Sequence, residues 1–551
     1  MPLNLLIGAD AESLLGDQAF QQQWRSLYSS CPWATVFQGA DFVTIWYQVY
    51  RESFKPLLIT ETLADGSLVG LLTLATTPDS QQLMFAGAKQ AEYHTWLATS
   101  DRGDTFIAAA MDLLRANFAG RTLTFEYLPP LTPKRWLAQN QPWANQSRLV
   151  MWPRPLMKLG DGENLRRSLK KSANKSRLNR LKRLGDVEFE QLHGVDQLTA
   201  VFDRIIAFYD FRQGAVNDAV YFQADPLKQP FYLALMAVPD LLHVTVLKVG
   251  GEVVAAHLGL SDGQQCGLGI PAHSPFHAVH SPGKLQLLML GVELAQQGFD
   301  TLDLTPGGDP YKERFATDHD EVHILTVFLS DRIWPKQIAE LKVQSKSIAK
   351  RVLQAAGIEP KTAETSINKL RHLGLKSAID WPQSLWNKQR GTAEDQIYCY
   401  QSNLASTASD SCSFNRDCLE DLLLFQPVDL SQSRQEFLSQ CLSRLEQAGQ
   451  HVYTLVIQGR LCSVCWLAER REESVELAQA YKFQPDSALI YDYYLDPTSQ
   501  QSYSRSLLKQ MVDDALFTYG AKQVYLAAVA DDSLRETITA TGFTCLQRIA
   551  V

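Results

Sequence analysis

One layout recurs three times along this chain and restricts the fold more than any other feature. Each copy opens with an apolar strand, a glycine turn and a second apolar strand. The first reads PLLITETLADGSLVGLLTLA and turns at Asp65-Gly66. The second, LLHVTVLKVGGEVVAAHLGL, turns at Gly250-Gly251, and the third, HVYTLVIQGRLCSVCWLAE, at Gly459. Glycine turns between β-rich runs are strong hairpin signals, because glycine reaches the positive φ that tight hairpins need. A strand, a helix and a last strand follow each hairpin. They are QQLMFAGA, DTFIAAAMDLLRANF and TLTFEYL in copy one, then QQCGLGI, Lys284 to Gln297 and TLDLT in copy two. In copy three they are ALIYDYYLD, SRSLLKQMVDDALFTYG and KQVYLAAV. The expectation is an α/β fold of tandem units, each with a mixed sheet.

A chain of 551 residues exceeds one ordinary core. The Pro- and Gly-rich stretch MWPRPLMKLGDGENL separates units one and two, and a polar, helix-patterned stretch separates two and three. The expected domains are an N-terminal unit at 1–150, a central unit with the proposed active site at 151–330, a helical linker at 331–395 and a C-terminal unit at 396–551.

The stretch from Ser281 to Phe315 carries the most chemistry. Ser281-Pro282-Gly283 enters an apolar helix through Lys284 and Leu285. Helix starts expose unpaired N–H groups and partial positive charge, so a glycine turn there can cradle an anion; the bland alternative is a plain turn with proline near the first helical position. At the far end Asp303 closes a strand, Gly307-Gly308 removes side chains, and Tyr311-Lys312 presents a phenol and an ammonium. A lysine there can neutralise charge developing on an acyl oxygen, or it can be an ordinary ion-pair partner at a capped strand end.

These residues carry a resemblance. The order hairpin, SPGKLQLLMLGVELAQQG, DLTPGGDPYKERFA is similar to the GNAT-type acyltransferases of the CelD/BcsL class, linked to exopolysaccharide synthesis, and to their FemAB-like relatives. CPWATVFQGADFVTIWYQVY resembles that family's N-terminal aromatic segment, GAKQAEYHTWLA its following strand and loop, and LRRSLKKSANKSRLNRLKRLGDVEFEQL its basic helix. The resemblance implies two GNAT-like halves and acyl transfer, with acetyl-CoA as donor and an amine or hydroxyl of a sugar or cell-envelope precursor as acceptor. It places Ser281, Gly283, Lys284 and Leu285 at the donor's pyrophosphate. Lys312, with Tyr311 and Asp303, falls at the reacting centre, the lysine steadying the oxyanion. The C-terminal unit resembles a diverged GNAT domain. Its phosphate loop reads Gln501-Ser502-Tyr503-Ser504-Arg505-Ser506, with serines in place of glycines, and Ile538 stands where many relatives carry a tyrosine acid.

Other features are weighed beside this. Nine basic residues lie between Arg166 and Arg183, above an apolar stripe of Leu165, Leu169, Leu178, Leu181 and Leu184. They suit a phosphate grip or a solvated helix face equally. The net charge of −8 argues against a nucleic-acid coat protein. Two rivals stay open: aminoacyl transfer from charged tRNA, and a non-catalytic scaffold in a polysaccharide-synthesis assembly. His273, His277, His280, His319 and His323 lack the spacing that frames zinc, so no metal site is expected. His257 reads as a packing residue, and Asp318 and Asp320 as surface carboxylates. Cys462 and Cys465 sit on a strand pattern that puts them on opposite faces. No apolar run approaches bilayer length, and MPLNLLIGADAESLLGDQ has no signal-peptide pattern, so the expected location is the cytosol. No catalytic base stands out.

Overall fold

The structure, a computed structural model, describes residues 3–79, 82–330, 396–402, 414–427, 433–469, 486–495, 502–529 and 538–550. The linker expected at 331–395 lies outside the described residues. The fold is mixed α/β, and the strands among the described residues form four sheets.

All three glycine hairpins form. In the first sheet, β1 (Leu3–Ile7), β2 (Lys55–Thr62), β3 (Leu68–Thr76) and β4 (Leu83–Phe85) lie in that order, with β5 (Leu97–Ala98) against β3. The helix Gly103–Asn117 packs across it, and Phe106 lies over Gly70 of β3, where an added Cβ would stand 2.4 Å from the ring. This end of the core is rich in tryptophan. Trp24, Trp46, Trp96 and Trp143 are fully buried, and the Trp33 and Trp96 indoles donate to the carbonyls of Trp96 and Gly103.

The last strand of copy one leaves its own unit. β6 (Arg121–Leu128) pairs antiparallel with β14 (Asp318–Leu329), in a second sheet ordered β11-β13-β7-β14-β6. There β7 (Ser147–Lys158) runs antiparallel to β14 over ten residue pairs and continues onto β13 (Thr301–Asp303), which runs parallel to β11 (Gln265–Gly267). The boundary drawn at 150/151 therefore falls inside β7, whose pairing on both sides is with strands beyond residue 300. The first two units share one sheet rather than meeting at a linker.

The third sheet holds β8 (Val187–Leu192), β9 (Leu242–Val249), β10 (Glu252–Leu260) and β12 (Ile270–His273). β11 and β12 are two parts of one extended run. It breaks at Gly269, φ +48°, where the second and third sheets diverge. The long helix Val195–Asn217 covers the third sheet with Leu198, Phe202, Ile205 and Phe208 inward, the three-and-four spacing of an amphipathic helix. The basic segment is two helices, Glu163–Lys170 and Ser172–Leu181, broken at an extended Lys171. Of its leucine stripe, Leu181 is core while Leu184 is exposed.

The C-terminal unit is one seven-stranded sheet, ordered β16 (Asn415–Arg416), β17 (Gln450–Ile457), β18 (Arg460–Ala468), β19 (Ser487–Leu495), β20 (Gln523–Val529), β15 (Gln396–Ser402) and β21 (Phe543–Ala550). β19 and β20 are parallel and the other pairings are antiparallel. Its helix Arg434–Leu445 opens on a capping box at Ser433 and Glu436 and packs against the long helix of the central unit. Among the described residues no helix is long and apolar enough to cross a membrane.

Candidate active site

Two cavities flank the same strands where the sheets diverge. Adjacent strand residues face opposite ways. On β10, Leu258 lines a smaller cavity of about 300 Å³ and its neighbour His257 lines a larger one of about 520 Å³. Between β11 and β12, Gly267 and Gly269 line the smaller cavity and Leu268 the larger. Glycine is a steric requirement in this wall. A Cβ on Gly269 would stand 2.2 Å from the Leu258 carbonyl oxygen, and one on Gly259 would stand 1.9 Å from that of Gly267.

The larger cavity opens onto the start of the helix Pro282–Gln296, and Ser281, Gly283 and Lys284 line it. Pro282 has no N–H, and the Lys284 and Leu285 N–H groups already donate to the Ser281 carbonyl at 3.2 and 3.3 Å. Gly283 is left as the residue at this helix start able to present an N–H to a ligand. Above its α-carbon stands the His273 ring, whose Nδ1 would be 3.0 Å from an added Cβ. Leu285, expected at the donor, points the other way. It is fully buried with Leu181, Leu247 and Val254, because one residue further along a helix turns the side chain by about 100° into the core.

The mouth of this cavity is cationic. Lys284, Arg212 and Arg314 line it. The pKa of Lys284 is lowered by burial and then by the nearby charges of Arg177, Arg314 and Lys171. The basic segment also reaches this cavity's wall, where Arg180 donates to the carbonyl of Val279, a lining residue, at 3.4 Å. Glu446 of the C-terminal unit and Asp309 are carboxylates on the same rim.

Tyr311 and Lys312 separate, as adjacent residues on the short helix Pro310–Glu313 must. Tyr311 lines the larger cavity, its phenol pushed up to about 12 by burial and then Asp309. Lys312 lines neither cavity. Its ammonium is buried in the loop and donates to Thr305 Oγ1 at 2.8 Å, Thr305 O at 3.2 Å and Pro306 O at 3.3 Å, with Asp309 at 3.5 Å.

Asp303 faces the smaller cavity within a buried network. Tyr93 Oη donates to its Oδ2 at 2.6 Å, Arg154 Nη1 lies at 3.2 Å, and the Thr305 N–H donates to Oδ1 at 2.8 Å. Arg154 also binds Asp320 through Nε at 2.7 Å. Asp320 is thus a partly buried partner in this network, not the surface carboxylate expected, because β14 brings it beside β7. Glu92, next to Tyr93, lines the same cavity. Its carboxyl is raised to about 7, by burial first and then by Asp303, against the pull of Lys312 and Lys228. Glu92, Tyr93 and Arg154 were not singled out from sequence. They come from the strand-loop segment and from β7, and only the fold carries them to Asp303.

The loop histidines do not assemble. His319 and His323 lie on β14, whereas His273, His277 and His280 lie at or after β12. In the C-terminal unit Ile538 is a core residue, Ser502 opens the helix Ser502–Asp513, and Gln501 lies outside the described residues.

No curated protein matches the chain. Among solved structures it is similar to FemX (10% identity, 55% of this chain and 95% of that one, TM-score 0.39). It is also similar to L-PGS from Bacillus licheniformis (13%, 58% and 94%, TM-score 0.35) and to a tandem GNAT protein from the clavulanic acid biosynthesis pathway (13%, 66% and 96%, TM-score 0.21). Residues 167–313, which hold the second basic helix and the end of the first, the third sheet, the larger cavity's helix and Lys312, match the family model described as an acetyltransferase (GNAT) domain.

Proposed function

We propose that the protein is an acyltransferase that takes an acetyl group from acetyl-CoA held in the larger cavity and passes it to an amine or hydroxyl in the smaller one, the thioester end reaching the acceptor between β12 and β13, which belong to different sheets. The observation that carries this reading is the pair of cavities set on opposite faces of one thin strand wall, the larger with a cationic mouth at a helix start. A donor with a phosphorylated tail suits Lys284, Arg314 and the open Gly283 N–H. The acceptor's nucleophilic atom attacks the thioester carbonyl carbon. The C–S bond then breaks, and CoA leaves as a thiolate that is protonated on release. The proton lost by the acceptor goes to Glu92, whose carboxyl at about 7 is matched to that task near neutral pH. Asp303, Tyr93 and Arg154 orient the acceptor. Lys312 holds the Thr305-Pro306 loop, and the Tyr311 phenol faces the donor. By resemblance the acceptor is a sugar or a cell-envelope precursor.

A second reading, aminoacyl transfer from tRNA, draws on Lys171 and Arg177 of the basic segment, whose charges act on Lys284 at the same cavity. Calorimetric titration separates the two. Acetyl-CoA should bind with one site per chain, and the combined Lys171→Ala, Arg177→Ala and Lys284→Ala variant should lose about tenfold or more in affinity. Failure of acetyl-CoA to bind, with tRNA binding that weakens steeply as salt rises, would replace the first reading by the second.

A further inference from the structure

A cluster of soft ligands sits in the wall between the cavities, outside the groups assigned above. His243 of β9, His257 of β10 and Cys266 of β11 each offer a ligand atom, and the three atoms lie within 4.8 Å of one another. All three residues are at least nine-tenths buried. Such groups normally find hydrogen-bond partners, and these do not. Neither ring nitrogen of His243 makes a hydrogen bond, although the Gln297 side chain lies beside it. His257 Nε2 contacts the Gly267 carbonyl at 2.9 Å, which makes Nε2 the protonated nitrogen and leaves Nδ1 with a lone pair and no partner. The Cys266 sulfur has only a 3.6 Å contact to the same carbonyl.

That pattern is what a metal-binding histidine shows: one N–H donated to a backbone carbonyl, which sets the tautomer, and the other nitrogen free. Two imidazoles and a thiol form a borderline-soft donor set suited to zinc-class cations, and with three protein ligands the fourth position of a tetrahedral site falls to a water, for which the larger cavity beside His257 is the source. Ligand atoms around a tetrahedral zinc stand about 3.5 Å apart, given bonds of about 2.0–2.3 Å. Closure from the present spacing takes shifts of about 1 Å.

We propose that His243, His257 and Cys266 bind one divalent zinc-class cation, which ties β9, β10 and β11 together where the sheets diverge. Binding forms one sulfur–metal and two nitrogen–metal bonds, and the thiol proton of Cys266 passes to solvent. The cation braces the wall that carries Leu258 and Gly267 on one side and Leu268 on the other.

The test uses the full chain, stripped with a chelator and titrated with Co²⁺, whose thiolate charge-transfer absorption in the near ultraviolet reports a cobalt–sulfur bond. One Co²⁺ per chain should bind with that band, and Zn²⁺ should displace it. Cys266→Ser should abolish the band, while the paired Cys462→Ala and Cys465→Ala variant should keep it. His243→Gln should weaken cobalt binding by more than the roughly 10–100-fold typical of losing an outer partner. Absence of the band in the wild type overturns the proposal, as does a band that survives Cys266→Ser. Should Cys266→Ser fail to fold by circular dichroism, His243→Gln decides, and unchanged cobalt affinity in that variant also overturns the site.

Discussion

Glu92 and Lys312 differ in how much of their polar capacity is left for substrate. Glu92 lines a cavity with its proton poised near neutral pH, whereas Lys312 is engaged by the loop oxygens of Thr305 and Pro306. If Glu92 accepts the acceptor's proton, turnover should rise with pH through about 7 and then level, since only the ionised carboxylate takes the proton. Glu92→Gln should remove that limb and cost about 10²–10⁴-fold in turnover. A limb that persists unchanged in Glu92→Gln would assign the titration to another group. Removing Lys312 strands buried carbonyl oxygens, a loss of about 1–3 kcal/mol. Lys312→Ala should therefore lower the melting temperature clearly. If stability holds while turnover per folded molecule collapses, the ammonium acts on the reacting carbonyl instead.

At the scale of elements, function depends on how closely β10 approaches β11 and β12. Gly259 and Gly269 permit it, and both sit against carbonyl oxygens rather than side-chain ends that can swing aside. Gly269→Ala adds a strained φ to the clash, and such positions cost about 1–3 kcal/mol apiece. Gly259→Ala and Gly269→Ala should each destabilise the fold and weaken donor and acceptor binding together, because one wall serves both cavities. Gly263→Ala is the control: its φ is also positive, at +87°, but nothing lies within 4 Å of an added Cβ. Differential scanning fluorimetry beside calorimetric binding reads both effects. A melting loss in Gly263→Ala as large as that in Gly269→Ala, with none in Gly259→Ala, would show that backbone strain, not the close approach, is what matters here.

At the scale of the whole molecule, the C-terminal unit docks on the helix that also borders the larger cavity. Leu438 fits against Gly214, where a Cβ would stand 2.7 Å from its Cδ1, and Glu446 lies 3.6 Å from Arg212. The exposed ion pair contributes little, so the apolar fit should dominate. Gly214→Val should loosen the docking, raise protease sensitivity between the units and, if acetyl-CoA occupies the larger cavity, change its affinity, since Arg212 and Glu446 line that cavity. Unchanged proteolysis would place the holding force elsewhere. The C-terminal unit also has its own pH dependence. Burial opposes charge on His451, yet Asp417 at 2.7 Å and Glu469 at 2.8 Å overcome it and raise its pKa to about 9. A raised folded-state pKa means this stabilisation is complete below the unfolded value near 6.5 and is lost as pH rises through about 9. Melting temperature should fall across that window, and His451→Gln should flatten the fall.

Local features follow from neighbouring residues alone. Asp65-Gly66, Gly250-Gly251 and Gly459 turned hairpins because a tight turn needs φ values that glycine supplies without strain. The helix at Pro282 began where proline and a small residue allow one to begin, and the tandem α/β layout followed. Tertiary structure alone decided where β6 pairs, because strand exchange between units depends on which edge is free and not on nearby residues. It alone separated Tyr311 from Lys312 and turned Leu285 inward. It alone brought Tyr93 to Asp303 across 210 residues, and Arg154 to Asp320 across 166. No spacing along the chain encodes such contacts. A buried carboxylate needs a donor within about 3 Å, and only the packed sheets determine which donor reaches it.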